Sequence, residues 1–345
     1  MAAPVQDALS DDVHKDVLLA RTAPELLPLW SVLGILAGAV VLSLLVKLYT
    51  ILTIGKCSSD VDMTGKTVII TGANTGIGKE AARNLAGRNA RVILACRNMA
   101  KAKAAAADIR ASTGRDVALV QVDLCSLQSV RQFAGQIIAT EPRLDVLILN
   151  AGMMSPTKRE ETEDGFEATF QANHLAHFLL THLLLDLLKK SQPSRVVVVG
   201  SCGQMAGRLN PDDLSFRSYF FPLLNYCTTK QCNMLFTVEM ANRLAGTGVT
   251  VNCCHPGLVR SEIATRTTDI QTWLFSLVLS FYGKTVREGA ETTIYLAVSE
   301  DVQNVTGKYF KDCAQSFAVP WATNAAAAKK LYDESIRLTQ LKEVI

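Results

Sequence analysis

Tyr226 and Lys230 stand four residues apart in the run Tyr-Cys-Thr-Thr-Lys, a spacing that puts both side chains on one face of a helix. A free tyrosine ionises at roughly pH 10, too high for easy proton exchange near neutrality. A nearby ammonium stabilises the phenolate and lowers that value, so the pair makes a general acid/base. Alone, the spacing is common on exposed helix faces. Ser201 adds weight, because it follows the apolar run Arg195–Val199 and Gly200, where a strand end can present a hydroxyl to a carbonyl oxygen. Asn173 lies in the stretch QANHLAHF, inside a predicted helix over 165–190. A mid-helix asparagine can bend or hydrate the helix and hold a water for proton relay.

A second group of residues suits a nucleotide. In KTVIITGANTGIGKE, Lys66 to Glu80, a β-branched run leads into a glycine turn and then a helix-forming segment, the context in which such glycines bind a dinucleotide. Gly72 allows the tight turn, Gly76 lets the backbone approach a pyrophosphate, and Gly78 lets the helix pack on the sheet. The helix N-terminus then offers N–H groups and a partial positive charge. After the second apolar run comes Arg97, in ACRN, where an NAD site usually carries an acid; an arginine suits a 2′-phosphate, which points to NADP(H). Asp123 ends the third run, placed for an adenine amino group. Asn150, Ala151 and Gly152 end the fourth, and His255-Pro256-Gly257 follows the sixth, where backbone groups can meet a nicotinamide carboxamide. His174, His177 and His182 gather no thiol or carboxylate partners and read as packing or surface residues; no metal site is expected.

These residues need a scaffold that brings strand ends together. Strand-length apolar runs recur at 67–70, 91–95, 117–122, 144–149, 195–199 and 249–253, separated by helical segments over 79–88, 101–113, 127–140, 165–190 and 222–245. Such alternation implies right-handed βαβ units and a parallel sheet, and the nearly continuous apolarity of the runs fits strands covered on both faces. The expected fold is α/β, a Rossmann-type doubly wound parallel sheet in one domain, whose ligands lie at the carboxyl edge.

The N-terminus is of another kind. Residues 1–25 are a polar tail rich in aspartate, and Leu26 to Val46 carries no charge. At ~1.5 Å per residue that run spans roughly 30 Å, the thickness of a bilayer core. It lacks the basic flank and cleavage site of a signal peptide and reads as a single membrane anchor over 26–46, followed by a linker over 47–63 and a catalytic domain over 64–345. Lys47, Lys56 and Lys66 after the span lean toward a cytosolic domain; glycosylation at Asn304-Val305-Thr306 would overturn that orientation. The chain has 345 residues and a net charge of +3, too small to suggest a nucleic-acid partner. Its nine cysteines are scattered, with no CxxC pair, as in a reduced, cytosol-facing protein. The segment Thr272–Tyr282, TWLFSLVLSFY, is too short to span a bilayer. It reads either as a lipophilic lid over a substrate or as an amphipathic core helix.

TGANTGIG, VDL, NAG, the helix asparagine, the serine and YxxxK stand here in one order. In that order they resemble the short-chain dehydrogenase/reductase superfamily from about Gly65 to the C-terminus. The stretches ACRN, NHLAHFLLTHLLL and LFTVEMANRLAGTGVTVNCCHPGLVRSE, with the N-terminal span, resemble its membrane-anchored retinol dehydrogenase group. The resemblance implies that Tyr226 is the proton donor/acceptor, Lys230 lowers its pKa and holds the nicotinamide ribose, Ser201 orients the substrate oxygen, and Asn173 completes a proton relay. It implies a cofactor-binding set of Gly72, Asn74, Thr75, Gly76, Ile77 and Gly78, then Arg97, Asp123 and Leu124, then Asn150, Ala151 and Gly152, then Pro256, Gly257 and Val259, with Tyr226 and Lys230. The chain departs from the group's pattern at Ala176 in place of glycine, at Gly200 in place of serine, and at Thr229 in place of serine. Gly200, Cys202 and Ala176 are expected near the substrate pocket.

The resulting expectation is an anchored NADP(H)-dependent oxidoreductase acting on CH–OH groups, at the endoplasmic reticulum membrane. It would interconvert a lipophilic alcohol and its carbonyl, retinol/retinal first, with a hydroxysteroid or fatty-aldehyde reductase as the alternative. A homodimer and a lipid contact through residues 26–46 belong to the same expectation. A reading of another class is a cofactor-binding scaffold with little turnover, against which the intact Ser201, Asn173, Tyr226 and Lys230 argue.

Overall fold

The computed structural model of the chain describes residues 26–154, 158–260 and 280–342, without the side chains of 26–29. The chain divides into two compact units, one up to Thr53 and one from Ile54. The first contains α1 (Leu26–Leu52), of which Trp30–Leu52 is long and apolar enough to cross a membrane, with a mean hydropathy of 2.3. The helix continues past Val46, the end expected from the charge pattern. A single lysine at 47 is a good helix former, and its long side chain can carry its charge out to a polar boundary.

The second unit begins with β1 (Thr67–Thr71), α2 (Gly76–Gly87), β2 (Arg91–Cys96), α3 (Met99–Thr113), β3 (Ala118–Gln121), α4 (Leu127–Thr140) and β4 (Val146–Leu149). Next come α5 (Ala168–Phe170), a π-helical turn (Gln171–Leu175), α6 (Ala176–Leu183) and α7 (Leu185–Lys190). The rest is β5 (Ser194–Val199), a 3-10 turn (Cys202–Met205), α8 (Pro222–Arg243), β6 (Val249–His255), α9 (Val286–Val298), β7 (Tyr309–Lys311), β8 (Ala314–Gln315) and α10 (Ala325–Thr339). The strands form one sheet in the order β3-β2-β1-β4-β5-β6-β7-β8. Every pairing is parallel except β7 with β8. The doubly wound sheet is as expected, with two further short strands at one edge that were too brief to show a sequence pattern.

Alternating side chains feed two cores. Ile69, Leu147, Val196, Val198 and Val251 pack with α4, α6, α8 and α10. Val68, Ile70, Ile148, Val197 and Cys254 pack with α2, α3 and α9. Ile69 and Leu147 are wholly buried, and each such side chain is worth about 1.5–3 kcal/mol of burial. Helix ends are set by local chemistry. The Asn98 side chain caps α3 and Gly114, in the left-handed region, closes it; Thr285 and Glu288 form a reciprocal capping box on α9.

The predicted long helix over 165–190 is broken. It starts at Ala168, widens into the π-helical turn and is interrupted at Leu184. The π turn holds Asn173, and such turns are frequent at functional sites. His174 and His182, read from sequence as packing or surface residues, are both buried. Their ring nitrogens pair with Ser335 and Tyr332 of α10, each at 3.0 Å.

Candidate active site

The order of the strands reverses between β1 and β4, the switch point where open α/β sheets bind ligands. Thr71 ends β1 there and is fully buried. Its hydroxyl accepts hydrogen bonds from the backbone N–H groups of Asn150 (2.9 Å) and Ala151 (3.0 Å). It also meets His177 Nε2 at 3.0 Å. His177 Nδ1 lies 3.2 Å from the carbonyl of Asn173, which can only accept, so Nδ1 carries the proton. Burial pushes the His177 ring down to about 3, so it is neutral and Nε2 accepts from Thr71. One proton arrangement therefore joins the Asn173 turn, β1 and the loop after β4.

Asn150 braces the same junction. Its side-chain amide donates to the carbonyls of Thr71 (2.8 Å) and Gly72 (3.3 Å). Gly72 has φ +67, and a Cβ there would stand 2.9 Å from Ala151. A Cβ on Gly78 would stand 2.4 Å from the Asn150 amide. Gly76, also at positive φ, faces open space, and Thr75 makes no side-chain cap on α2. The turn over Asn74, Thr75, Gly76 and Ile77 leads into the N-terminus of α2 with open space at Gly76, the kind of place that takes a pyrophosphate.

The remaining sequence-predicted cofactor residues lie along the same carboxyl edge. Arg97 is exposed just past β2. Asp123 follows β3, and one of its carboxylate oxygens accepts from Cys125 N at 2.9 Å, with Leu124 buried beside it. Gly152 is next to two of the catalytic candidates, since a Cβ there would stand 3.5 Å from Lys230 Nζ and 3.6 Å from Asn173 Oδ1. After β6, Pro256 leads into Gly257, at φ +88, which packs on the Lys284 stem. Val259 is buried and bridged to Lys284. The buried Lys284 ammonium is hydrogen-bonded to Asp312. Neither Lys284 nor Asp312 was marked by sequence spacing.

The four catalytic candidates come together. Ser201 begins the 3-10 turn after β5 and accepts from Gly203 N at 3.0 Å. Tyr226 and Lys230 are one turn apart on α8, with Lys230 Nζ 5.6 Å from the Tyr226 ring centre. The Lys230 ammonium donates to the carbonyl of Val199 at 2.9 Å. Asn173 holds the loop after β4 through Met153, accepting from its N–H at 2.8 Å and donating to its carbonyl at 2.9 Å. Asn173 also donates to Thr229 Oγ1 at 3.0 Å, and that hydroxyl donates to the Tyr226 carbonyl at 2.8 Å. The threonine at 229 therefore keeps the hydroxyl that links asparagine and tyrosine.

The electrostatics differ from the simple expectation for the pair. Burial pushes the Tyr226 phenol up to about 12, opposed by its hydrogen bond with Ser201. Burial pushes Lys230 down to about 8. For both groups burial is the largest cause of the shift, and the lysine head group is hydrogen-bonded to Val199 O. Of the three positions expected near the pocket, Ala176 is wholly buried in the core. Gly200 is packed so that a Cβ would stand 2.5 Å from Cys253 Sγ, and only Cys202 is half-buried beside Ser201. The proposed lid at 272–282 lies outside the described residues except for Ser280–Tyr282.

The short chain dehydrogenase family model matches residues 66–271, a span that begins at the foot of β1 and includes every catalytic candidate. Retinol dehydrogenase 11 of Mus musculus is 45% identical over 297 residues, 86% of this chain and 93% of that protein. Retinol dehydrogenase 13 of Homo sapiens is 45% identical over 324 residues, 92% and 96% respectively. Among solved structures, a short chain dehydrogenase from Shigella flexneri complexed with NADP aligns with a TM-score of 0.59 at 28% identity, covering 74% of this chain and 100% of that one. The chain therefore belongs to the short chain dehydrogenase family of nicotinamide-dependent oxidoreductases.

Proposed function

We propose that the protein is a membrane-anchored, NADP(H)-dependent oxidoreductase that interconverts a lipophilic alcohol and its carbonyl, retinol and retinal being the first pair to test. The observation that carries this reading is the meeting of Tyr226 with Ser201 at the end of β5, with Lys230 behind the ring. The names of the relatives point to a retinoid. Arg97, with no acid in its place, and the NADP complex of the Shigella flexneri protein favour NADP(H) over NAD(H). Helix α1 supports an anchor, with residues 1–25 as tail, 47–63 as linker and 64–345 as catalytic domain at the cytosolic face of the endoplasmic reticulum. A homodimer and a lid over 272–282 belong to the same proposal.

In this reading the turn from Gly72 to Gly78 and the N-terminus of α2 hold the pyrophosphate, Arg97 the 2′-phosphate, and Asp123 with Leu124 the adenine. Residues 150–152 and 256–259 flank the nicotinamide, which supplies or accepts a hydride at the carbon bearing the substrate oxygen. Lys230 holds the ribose. Ser201 donates a hydrogen bond to the substrate oxygen and fixes it beside the phenol. Tyr226 then donates a proton to that oxygen in reduction and removes it in oxidation. A phenol near 12 is protonated at neutral pH, the form that reduction requires. Lys230, with a water held at Asn173, returns a proton to it.

The test is NADPH consumption by membranes carrying the protein, offered all-trans-retinal, a ketosteroid and a long-chain aldehyde in turn. Turnover of retinal with NADPH, and little with NADH, is expected. Tight NADPH binding with no turnover of any of the three would defeat the enzymatic reading and favour the scaffold.

A further inference from the structure

Each catalytic residue that touches the substrate oxygen in the proposed reaction is followed directly by a cysteine: Ser201 by Cys202 and Tyr226 by Cys227. The two thiols belong to different elements that pack together at this point. A Cβ on Gly203, the residue after Cys202, would stand 3.2 Å from Cys227 Sγ, 3.5 Å from Cys227 Cα and 3.4 Å from Ser201 Oγ. Cys227 Cα is therefore within about 5 Å of Gly203 Cα, and Cys202 is one peptide step of about 3.8 Å from it. A disulfide needs a Cα separation of about 4.4–6.8 Å, so closing one asks for a shift of roughly 2 Å at most in the 3-10 turn, where Cys202 and Gly203 are half-buried and Gln204 is buried. Cys202 is half-buried and Cys227 is 7% exposed.

We propose that Cys202 and Cys227 form a peroxide-sensitive dithiol that reversibly closes the active site, a regulation that rests on the catalytic assignment above. A hydroperoxide supplies the oxidant. The Cys202 thiolate attacks its terminal oxygen, the O–O bond breaks, Cys202 becomes a sulfenic acid, and the leaving oxygen departs as water or an alcohol. The Cys227 thiol then attacks the Cys202 sulfur, an S–S bond forms, and the sulfenic oxygen leaves as water. Two electrons and two protons pass from the thiols to the peroxide. The resulting bond ties the residue after Ser201 to the residue after Tyr226 and draws both hydroxyls out of register. A misplacement of about 1 Å in a catalytic group can cost about a hundredfold in rate. Thiol reductants reverse the bond by exchange. The other thiols near the site are placed differently, since Cys232, Cys253 and Cys254 are wholly buried.

The experiment treats the full-length protein, in membranes, with hydrogen peroxide, then alkylates the remaining thiols and maps the peptides by mass. A peptide joining Cys202 to Cys227, short by two hydrogens, is expected. NADPH-dependent turnover should fall about a hundredfold and return on addition of dithiothreitol. Cys227→Ser should keep basal turnover, and Cys202→Ser, whatever its own turnover, should lose none of it at the same dose. A cross-link at another pair, such as Cys57 with Cys313, or no cross-link at all, overturns the proposal. So does inactivation of Cys202→Ser at the dose that inactivates the parent. The peptide map reads the bond whether or not a substrate is turned over, so its failure is separable from failure of the proposed activity.

Discussion

Replacing Thr71 by valine keeps the shape of the side chain and removes one hydroxyl. In the structure that hydroxyl is fully buried and takes the N–H groups of Asn150 and Ala151 while donating to His177 Nε2. The valine methyl leaves two donors and one acceptor unpaired at the switch point. Each unmet buried group costs about 1–3 kcal/mol, and part of the loss is recovered by relaxation and water. The expected destabilisation is about 3–6 kcal/mol, a large share of a typical domain stability of about 5–15 kcal/mol. For a domain of this size, each kcal/mol lowers the melting temperature by roughly 2–4 °C, so a drop on the order of 10 °C is expected. Thr71→Ser keeps the hydroxyl and deletes a methyl, which costs about 1 kcal/mol. The assay is thermal unfolding of the full-length protein in detergent micelles, with NADPH affinity measured in parallel. Valine should be much worse than serine in both. Equal losses from valine and serine would refute the hydrogen-bond argument and leave Thr71 as ordinary packing.

Arg97→Ala should weaken NADPH binding by roughly 10–100-fold, the worth of a charged hydrogen bond, and leave NADH binding nearly unchanged; equal effects on both cofactors would remove Arg97 from the 2′-phosphate site. Acid should destabilise the protein. Burial holds His174 and His177 near 3 and His182 and His255 near 4, below the ordinary value of 6.5. The folded state binds fewer protons than the unfolded one in that window, so stability is present above about pH 6.5 and is lost as pH falls toward 4, by up to about 1.4 kcal/mol per pH unit per histidine. A stability profile flat between pH 7 and 5 would contradict those assignments. Asp312→Ala strands the buried Lys284 ammonium and should cost about 3 kcal/mol, most of it recovered in Lys284→Met/Asp312→Leu. If the double variant is as unstable as the single one, packing rather than charge explains the site.

Much of the chemistry was legible because it sits on spacing. YxxxK and the glycine turn are short-range patterns, and strand periodicity placed Ser201, Asn150 and Asp123 at strand ends. Long-range consequences were not legible. Thr71 is isosteric with valine in a β-branched strand, so nothing local marks its hydroxyl as the junction of three elements. His177 reads as a packing or surface residue; it is buried in the core, and its second ring nitrogen meets a strand far away in sequence. The break at the π-helical turn was invisible because the apolar pattern continues through it, and only Met153 and Thr229 explain where Asn173 is directed. The raised phenol and depressed ammonium of Tyr226 and Lys230 follow from depth of burial, which spacing does not report.

A single comparison decides whether Tyr226 is the acid: the kcat of the parent and of Tyr226→Phe for NADPH-dependent reduction of the preferred carbonyl, with NADPH affinity read by fluorescence titration on the same samples. Loss of one hydroxyl should lower kcat by about 10²–10⁴ and change NADPH affinity by no more than about twofold. A phenylalanine variant that keeps most of its kcat would show that proton transfer does not run through Tyr226, and the site would have to be reassigned.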